Sequence, residues 1–120
     1  MKTKIKTFED ACKALKLNPP SVLPYKKPEG NDEEVLNAYA KLRIIAKALR
    51  GKWQPDWNNS SQWKYYPWFR HQPGVGFSCY GYVYGYSASF VGSRLCFPTR
   101  EMAEYFGTQF IDIHQIVLTK

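Results

Sequence analysis

The chain has 120 residues, one domain's worth, and its 44% apolar and 22% charged residues form a globular rather than a disordered composition. No apolar run is long enough to span a membrane, and Met1-Lys2-Thr3-Lys4-Ile5-Lys6 has no apolar stretch behind its lysines, which reads as no secretory signal. Cys12, Cys79 and Cys96 form no C-x-x-C pair, which argues against a disulfide scaffold or zinc ribbon and for a cytoplasmic protein with reduced thiols, while a net charge of +7 and 17% aromatic residues point toward an anionic or planar partner.

Thr7 opens the first helical pattern, with Asp10 at the capping-box position. Phe8, Ala11, Cys12 and Leu15 share one face, and Asn18-Pro19-Pro20 is expected to stop the helix. Residues 18–31 hold four prolines and a glycine and read as a loop, with a turn of extended helix around Pro19-Pro20. Asn31, followed by Glu34, is the expected cap of a longer helix whose stripe is Val35, Ala38, Tyr39, Leu42, Ile45, Ala46 and Leu49. Gly51 ends it, one residue past Arg50.

The helical period then breaks. Pro55-Asp56 and Asn58-Asn59-Ser60-Ser61 are turn chemistry, and Lys64-Tyr65-Tyr66-Pro67-Trp68-Phe69 reads as a strand that Pro67 confines to an edge or ends early. Pro73-Gly74-Val75-Gly76 is a turn. Beyond it Tyr80, Tyr82, Tyr84, Tyr86, Ala88 and Phe90 alternate with small residues, which predicts strands with all the tyrosines on one side and a hairpin near Gly85. Val91 to Phe97 reads as a core strand. Pro98-Thr99 caps one final helix with the stripe Met102, Phe106, Phe110, Ile113 and Val117. The predicted fold class is α+β in a single domain, residues 1–120. It has two N-terminal helices, a small antiparallel sheet of about three to four strands over residues 63–97, and a C-terminal helix packed on one face of it.

Charge and aromaticity are concentrated in different places. Residues 1–50 carry +5 and residues 51–120 only +2, whereas thirteen aromatics fall between Trp53 and Phe90. Tyrosines at alternate strand positions offer faces for base stacking, but they also pair across strands, cover cores and join subunits. Trp53, Trp57, Trp63 and Trp68 beside Lys52, Lys64 and Arg70 combine stacking with cations; the competing reading is a hydrophobic clasp over a long turn. Lys2, Lys4, Lys6, Lys13, Lys16, Lys26 and Lys27 suit phosphates, against the commoner outcome of a solvated face. Ser93-Arg94 and Thr99 suggest an anion site, against the pairing of Arg94 with Glu101 or Glu104.

Catalytic chemistry is poorly represented. His71 and His114 are the only histidines, neither sits in a metal or phosphate motif, and His114 reads as a satisfied structural residue. Nothing in the spacing supports Cys79 with His71 as a nucleophile pair. The expectation is a non-enzyme with no metal and no cofactor.

Lys6-Thr7-Phe8-Glu9-Asp10-Ala11-Cys12-Lys13-Ala14-Leu15, Trp53-Gln54-Pro55-Asp56-Trp57-Asn58, Lys64-Tyr65-Tyr66-Pro67-Trp68-Phe69, Gly92-Ser93-Arg94-Leu95-Cys96-Phe97, Glu104-Tyr105 and Gln109-Phe110 run in order over nearly the whole chain. This series resembles a family of small proteins encoded by phages and prophages of gut Bacteroidota, including crAss-like phages. The resemblance implies a phage protein acting in a bacterial cytoplasm or on a virion. The family has a polar, Asn/Thr/Asp-rich segment before Gly-Ser-Arg-Leu, where this chain has its Tyr/Gly run.

The expected function is binding of an anionic, nucleotide-containing ligand, either single-stranded nucleic acid or a free nucleotide signal trapped in counter-defence. The expected contacts are Tyr82, Tyr84, Tyr86, Trp68, Lys64 and Arg94. The alternative is a phage protein–protein or virion module, with a host protein, a phage protein or a second copy on the aromatic surface, and no membrane.

Overall fold

A computed structural model describes residues 2–85 and 95–120. Helix α1 spans Phe8–Ala14, a 3-10 turn Pro19–Ser21, helix α2 Gly30–Arg50, strands β1 Lys64–Gln72 and β2 Gly76–Gly85, and helices α3 Arg100–Gln109 and α4 Ile111–Thr119. The class is α+β, with the C-terminal helices packed on one face of an antiparallel sheet.

The first helix starts as expected. Thr7 Oγ1 accepts from Asp10 N at 3.1 Å, and Asp10 Oδ2 accepts from Thr7 N at 3.1 Å and Lys6 N at 3.0 Å. These amides hold the Asp10 carboxyl below its ordinary pKa. The helix stops before the prolines, because Lys16 adopts a left-handed φ of 58°. That conformation lets Lys16 N and Leu17 N bond back to Lys13 O and Cys12 O, a Schellman closure without its usual glycine. Pro19–Ser21 is a 3-10 turn rather than extended helix.

Helix α2 begins at Gly30 with Glu29 as its N-cap, two residues ahead of the expected Asn31. Glu33 Oε1, not Glu34, reaches back to the Glu29 amide at 3.1 Å, while Glu34 pairs with Lys120. Asn37 is buried within the helix. Its amide accepts from Tyr25 N at 3.0 Å and donates to Tyr25 O at 2.9 Å, fixing the proline-rich loop along α2.

The single predicted C-terminal helix is two. Gly107 weakens the helix, and Thr108 donates its hydroxyl back to Glu104 O at 2.8 Å, a contact that bends helices. The chain breaks at Phe110 (φ −110°, ψ 31°). The apolar stripe survives the break, since Phe106 and Phe110 are both buried. His114 also turns inward. Its Nε2 donates to Phe106 O at 3.2 Å, in the last turn of α3, and its ring packs 4.5 Å from Phe69 and 4.6 Å from Phe106.

The β1–β2 hairpin turns at Pro73–Val75, where Val75 N donates to Gln72 O at 3.0 Å; β2 then runs through to Gly85. Pro67 does not end β1. Tyr65 exchanges both backbone bonds with Phe97, at 2.9 and 2.7 Å, on the edge away from β2. The next such antiparallel pair would need an N–H from Pro67, which it lacks, so the Phe97 bridge stays isolated and β2 is undisturbed. Of the predicted core strand Val91 to Phe97, residues 91–94 lie outside the described residues, and Phe97 forms only the isolated bridge to Tyr65.

Ile5, Phe8, Ala11, Cys12, Leu42, Ile45, Ala46, Leu49, Phe97, Ala103, Phe106 and Phe110 form the core. The Tyr105 hydroxyl donates to Ile5 O at 2.6 Å and Gln109 Nε2 to Lys6 O at 2.9 Å, which tie the N-terminal segment to α3. Helix α3 sits close on the sheet because Gly107 has no side chain. A Cβ there would meet Cys79 Sγ at 2.6 Å and Pro67 Cβ at 2.7 Å.

Gly107→Ala should therefore destabilise the protein by about 1–3 kcal/mol in urea unfolding, the cost of overpacking a backbone contact; an unchanged midpoint would contradict this packing. Burial pushes His114 down to about 4. The unfolded chain then binds the extra proton from its ordinary pKa downward, so stability should fall by about 3 kcal/mol as pH drops from 6.5 to 4 and flatten below. His114→Gln should lose that component of the pH slope.

Candidate nucleic-acid interface

The two faces of the hairpin differ in chemistry. In register, Tyr65 opposes Tyr84, Pro67 Tyr82, Phe69 Cys79 and His71 Phe77. This is the face toward α3: Tyr65 and Tyr82 pack on the core, and Phe69 stacks on Phe77 at 5.2 Å. The outer face carries Tyr66, Trp68 and Arg70 from β1.

The predicted ladder of tyrosines on one side does not form. Between the Pro67–Tyr82 and Phe69–Cys79 pairs, β1 contributes only Trp68 while β2 contributes both Tyr80 and Gly81. Gly81 holds φ at 102°, a conformation that glycine adopts readily and other residues rarely do. This is a β-bulge. It reverses the alternation, so Tyr80 emerges on the outer face while Tyr82 and Tyr84 stay on the inner one. The Arg70 guanidinium lies over the Tyr80 ring, 4.2 Å from its centroid. Trp68 is 52% and Tyr80 60% exposed.

The expected contacts distribute as follows. Trp68 stands in the open on the outer face. Tyr84, 51% exposed, stacks on Trp63 at 4.6 Å and 21°, at the end of the inner face. Tyr82 is half-buried, with its ring 5.7 Å from that of Tyr65, and its proximity raises the pKa of the Arg100 guanidinium. Tyr86 and Arg94 lie outside the described residues. Lys64 departs from the expectation of a phosphate contact, because it is 0% exposed. Its ammonium donates to Asn59 O at 3.3 Å and Gln62 O at 3.1 Å and lies 5.0 Å from the centroid of Trp57. It closes the loop between α2 and β1 from beneath.

That loop has its own turn chemistry: Asp56 Oδ1 accepts from Asn58 N at 3.0 Å, and Asn59 Oδ1 from Ser61 N at 2.9 Å. Trp57, one of the tryptophans read either as a stacking ring or as a clasp over a long turn, sits over the Lys64 ammonium within that turn. Arg70 and Tyr80 were not among the expected contacts. The available signal was Gly81, since a glycine inside a strand pattern marks a bulge.

Two shallow depressions, of about 260 and 180 Å³, lie along α4, one of them against α2, and neither is lined by sheet residues. Cys79 donates to Gly81 O at 3.4 Å, and burial pushes its thiol pKa up, opposite to the shift of an activated nucleophile. Among the described residues no group of three or more His, Cys, Asp or Glu side chains is arranged to hold a metal, and no helix is long and apolar enough to cross a membrane. Lys2, Lys4, Lys6, Lys13, Lys16, Lys26 and Lys27 are all exposed.

Replacing Lys64 by Met removes the donor from the Asn59 and Gln62 carbonyls. Amide hydrogen exchange should accelerate across residues 54–62, with a stability loss of about 1–2 kcal/mol. Unchanged exchange there would mean that the loop holds itself. No family model, curated protein or solved structure matches the chain.

Proposed function

We propose that the protein is a non-enzymatic, phage-type binding protein for an anionic nucleotide-containing ligand, held by stacking on the outer face of the β1–β2 hairpin. The observation that carries this reading is the grouping of exposed Trp68 and Tyr80 with Arg70 on one sheet face. Flat rings give sequence-tolerant stacking, and a cation among them suits the phosphate backbone. The face is open rather than enclosed, which favours single-stranded nucleic acid over a free nucleotide, since small ligands are ordinarily held in clefts that bury most of their surface. The net charge of +7 supplies a long-range attraction for any polyanion. The sequence resemblance supports a phage protein at work in the host cytoplasm, including a counter-defence role, or on the virion.

One observation favours a second reading, an aromatic interface for a host protein, a phage protein or a second copy. With Lys64 buried, β1 keeps only Arg70 as an exposed cation.

Salt separates the two. Fluorescence anisotropy of a labelled single-stranded oligonucleotide should give micromolar binding that weakens log-linearly with salt. Trp68→Ala and Tyr80→Ala should each weaken it about tenfold, in line with the loss of one stacked base, with melting temperatures unchanged because both side chains are exposed. Binding that ignores both substitutions would refute the site. A partner captured equally at low and high salt would transfer it to the protein–protein reading.

A further inference from the structure

Arg70 is usually the kind of residue assigned to a phosphate, but its geometry is that of a platform. The guanidinium carbon sits over the Tyr80 ring, 4.2 Å from its centroid, so that ring backs the group. Arg70 is exposed even with Tyr80 behind it. The arrangement is set by the backbone: the bulge at Gly81 turns Tyr80 onto the outer face, and the alternation of β1 brings Arg70 to the same face two residues beyond Trp68.

We propose that Arg70, backed by Tyr80, is a base-stacking residue that takes a purine of a single strand on its outer plane, beside a second base on Trp68. This rests on the nucleic-acid reading above. Guanidinium is planar, delocalised and weakly hydrated, so a base can lie flat on it while the in-plane N–H groups remain free for a phosphate. Tyr80 holds the plane in position and, by cation–π attraction, keeps it from swinging away. A purine covers more of that plane than a pyrimidine does. Lysine carries the same charge but has no plane, which makes Arg70→Lys the discriminating substitution.

The experiment is anisotropy with fluorescein-labelled dA12 and dT12 over a salt series, using wild type, Arg70→Lys, Arg70→Ala and Tyr80→Ala. Wild type should prefer dA12. Arg70→Lys should weaken dA12 binding about tenfold with the salt slope unchanged, since the charge is kept and one stacked base is lost. Tyr80→Ala combined with Arg70→Lys should cost little more than either alone, because they remove one platform. An Arg70→Lys protein that binds dA12 like wild type, while Arg70→Ala lowers both affinity and salt slope, would overturn the assignment and leave Arg70 a phosphate contact. If wild type binds neither oligonucleotide, the nucleic-acid reading falls and this assignment with it.

Discussion

The left-handed backbone of Gly81 is the constraint on which the character of the sheet depends. A strand without it would send Tyr80, Tyr82 and Tyr84 to one face, and that face is half covered by α3. The extra residue in β2 divides them instead. Tyr82 is drawn into the packing against Tyr65 and Arg100, Tyr84 closes the open end with Trp63, and Tyr80 is released to the other side with Arg70. The same displacement sets Cys79 opposite Phe69 on the inner face, where it meets the bare backbone of Gly107. One glycine thus governs the exposed chemistry, and the other determines how closely the helix seats beneath it.

Lys64 shows how a cation next to aromatics can be entirely structural. Its stem is buried, its ammonium satisfies two loop carbonyls, and Trp57 covers it. Burying an ammonium is tolerable when hydrogen bonds replace its water, and here two carbonyls and an aromatic face do so. The loop joining α2 to β1 is consequently anchored at the point where β1 begins, which steadies the strand that carries Trp68 and Arg70.

Much of the fold was legible because it follows local rules. The Thr7 and Thr99 caps, the stripe of α2 from Ala38 to Leu49 and the buried positions Phe106 and Phe110 obey spacing that any helix must satisfy. What escaped was decided by backbone conformation or by tertiary partners. A left-handed Lys16 ended α1 early, where only the prolines were visible as a stop. Thr108 and Gly107 broke the last helix although its apolar stripe runs on unbroken. Of the two readings of Pro67, the edge holds, since its missing donor is turned away from β2, and the early end does not, since β1 runs on to Gln72. The tyrosine alternation was real in sequence but blind to the bulge, so the pairing of Trp68 with Arg70 was legible and the arrival of Tyr80 beside them was not.

The bonds from Tyr105 to Ile5 and from Gln109 to Lys6 join residues 100 and 103 positions apart, and the core mixes Ile5 and Phe8 with Phe97, Ala103, Phe106 and Phe110. Such contacts must pay the entropy of closing most of the chain into a loop before they return anything. During synthesis α1 and α2 can pack on one another, but the part of their shared core that Phe97 and the C-terminal helices cover stays open until those residues emerge. In that interval the β1–β2 hairpin, whose pairing is local, can form as well, so its aromatic faces are presented before the core is closed.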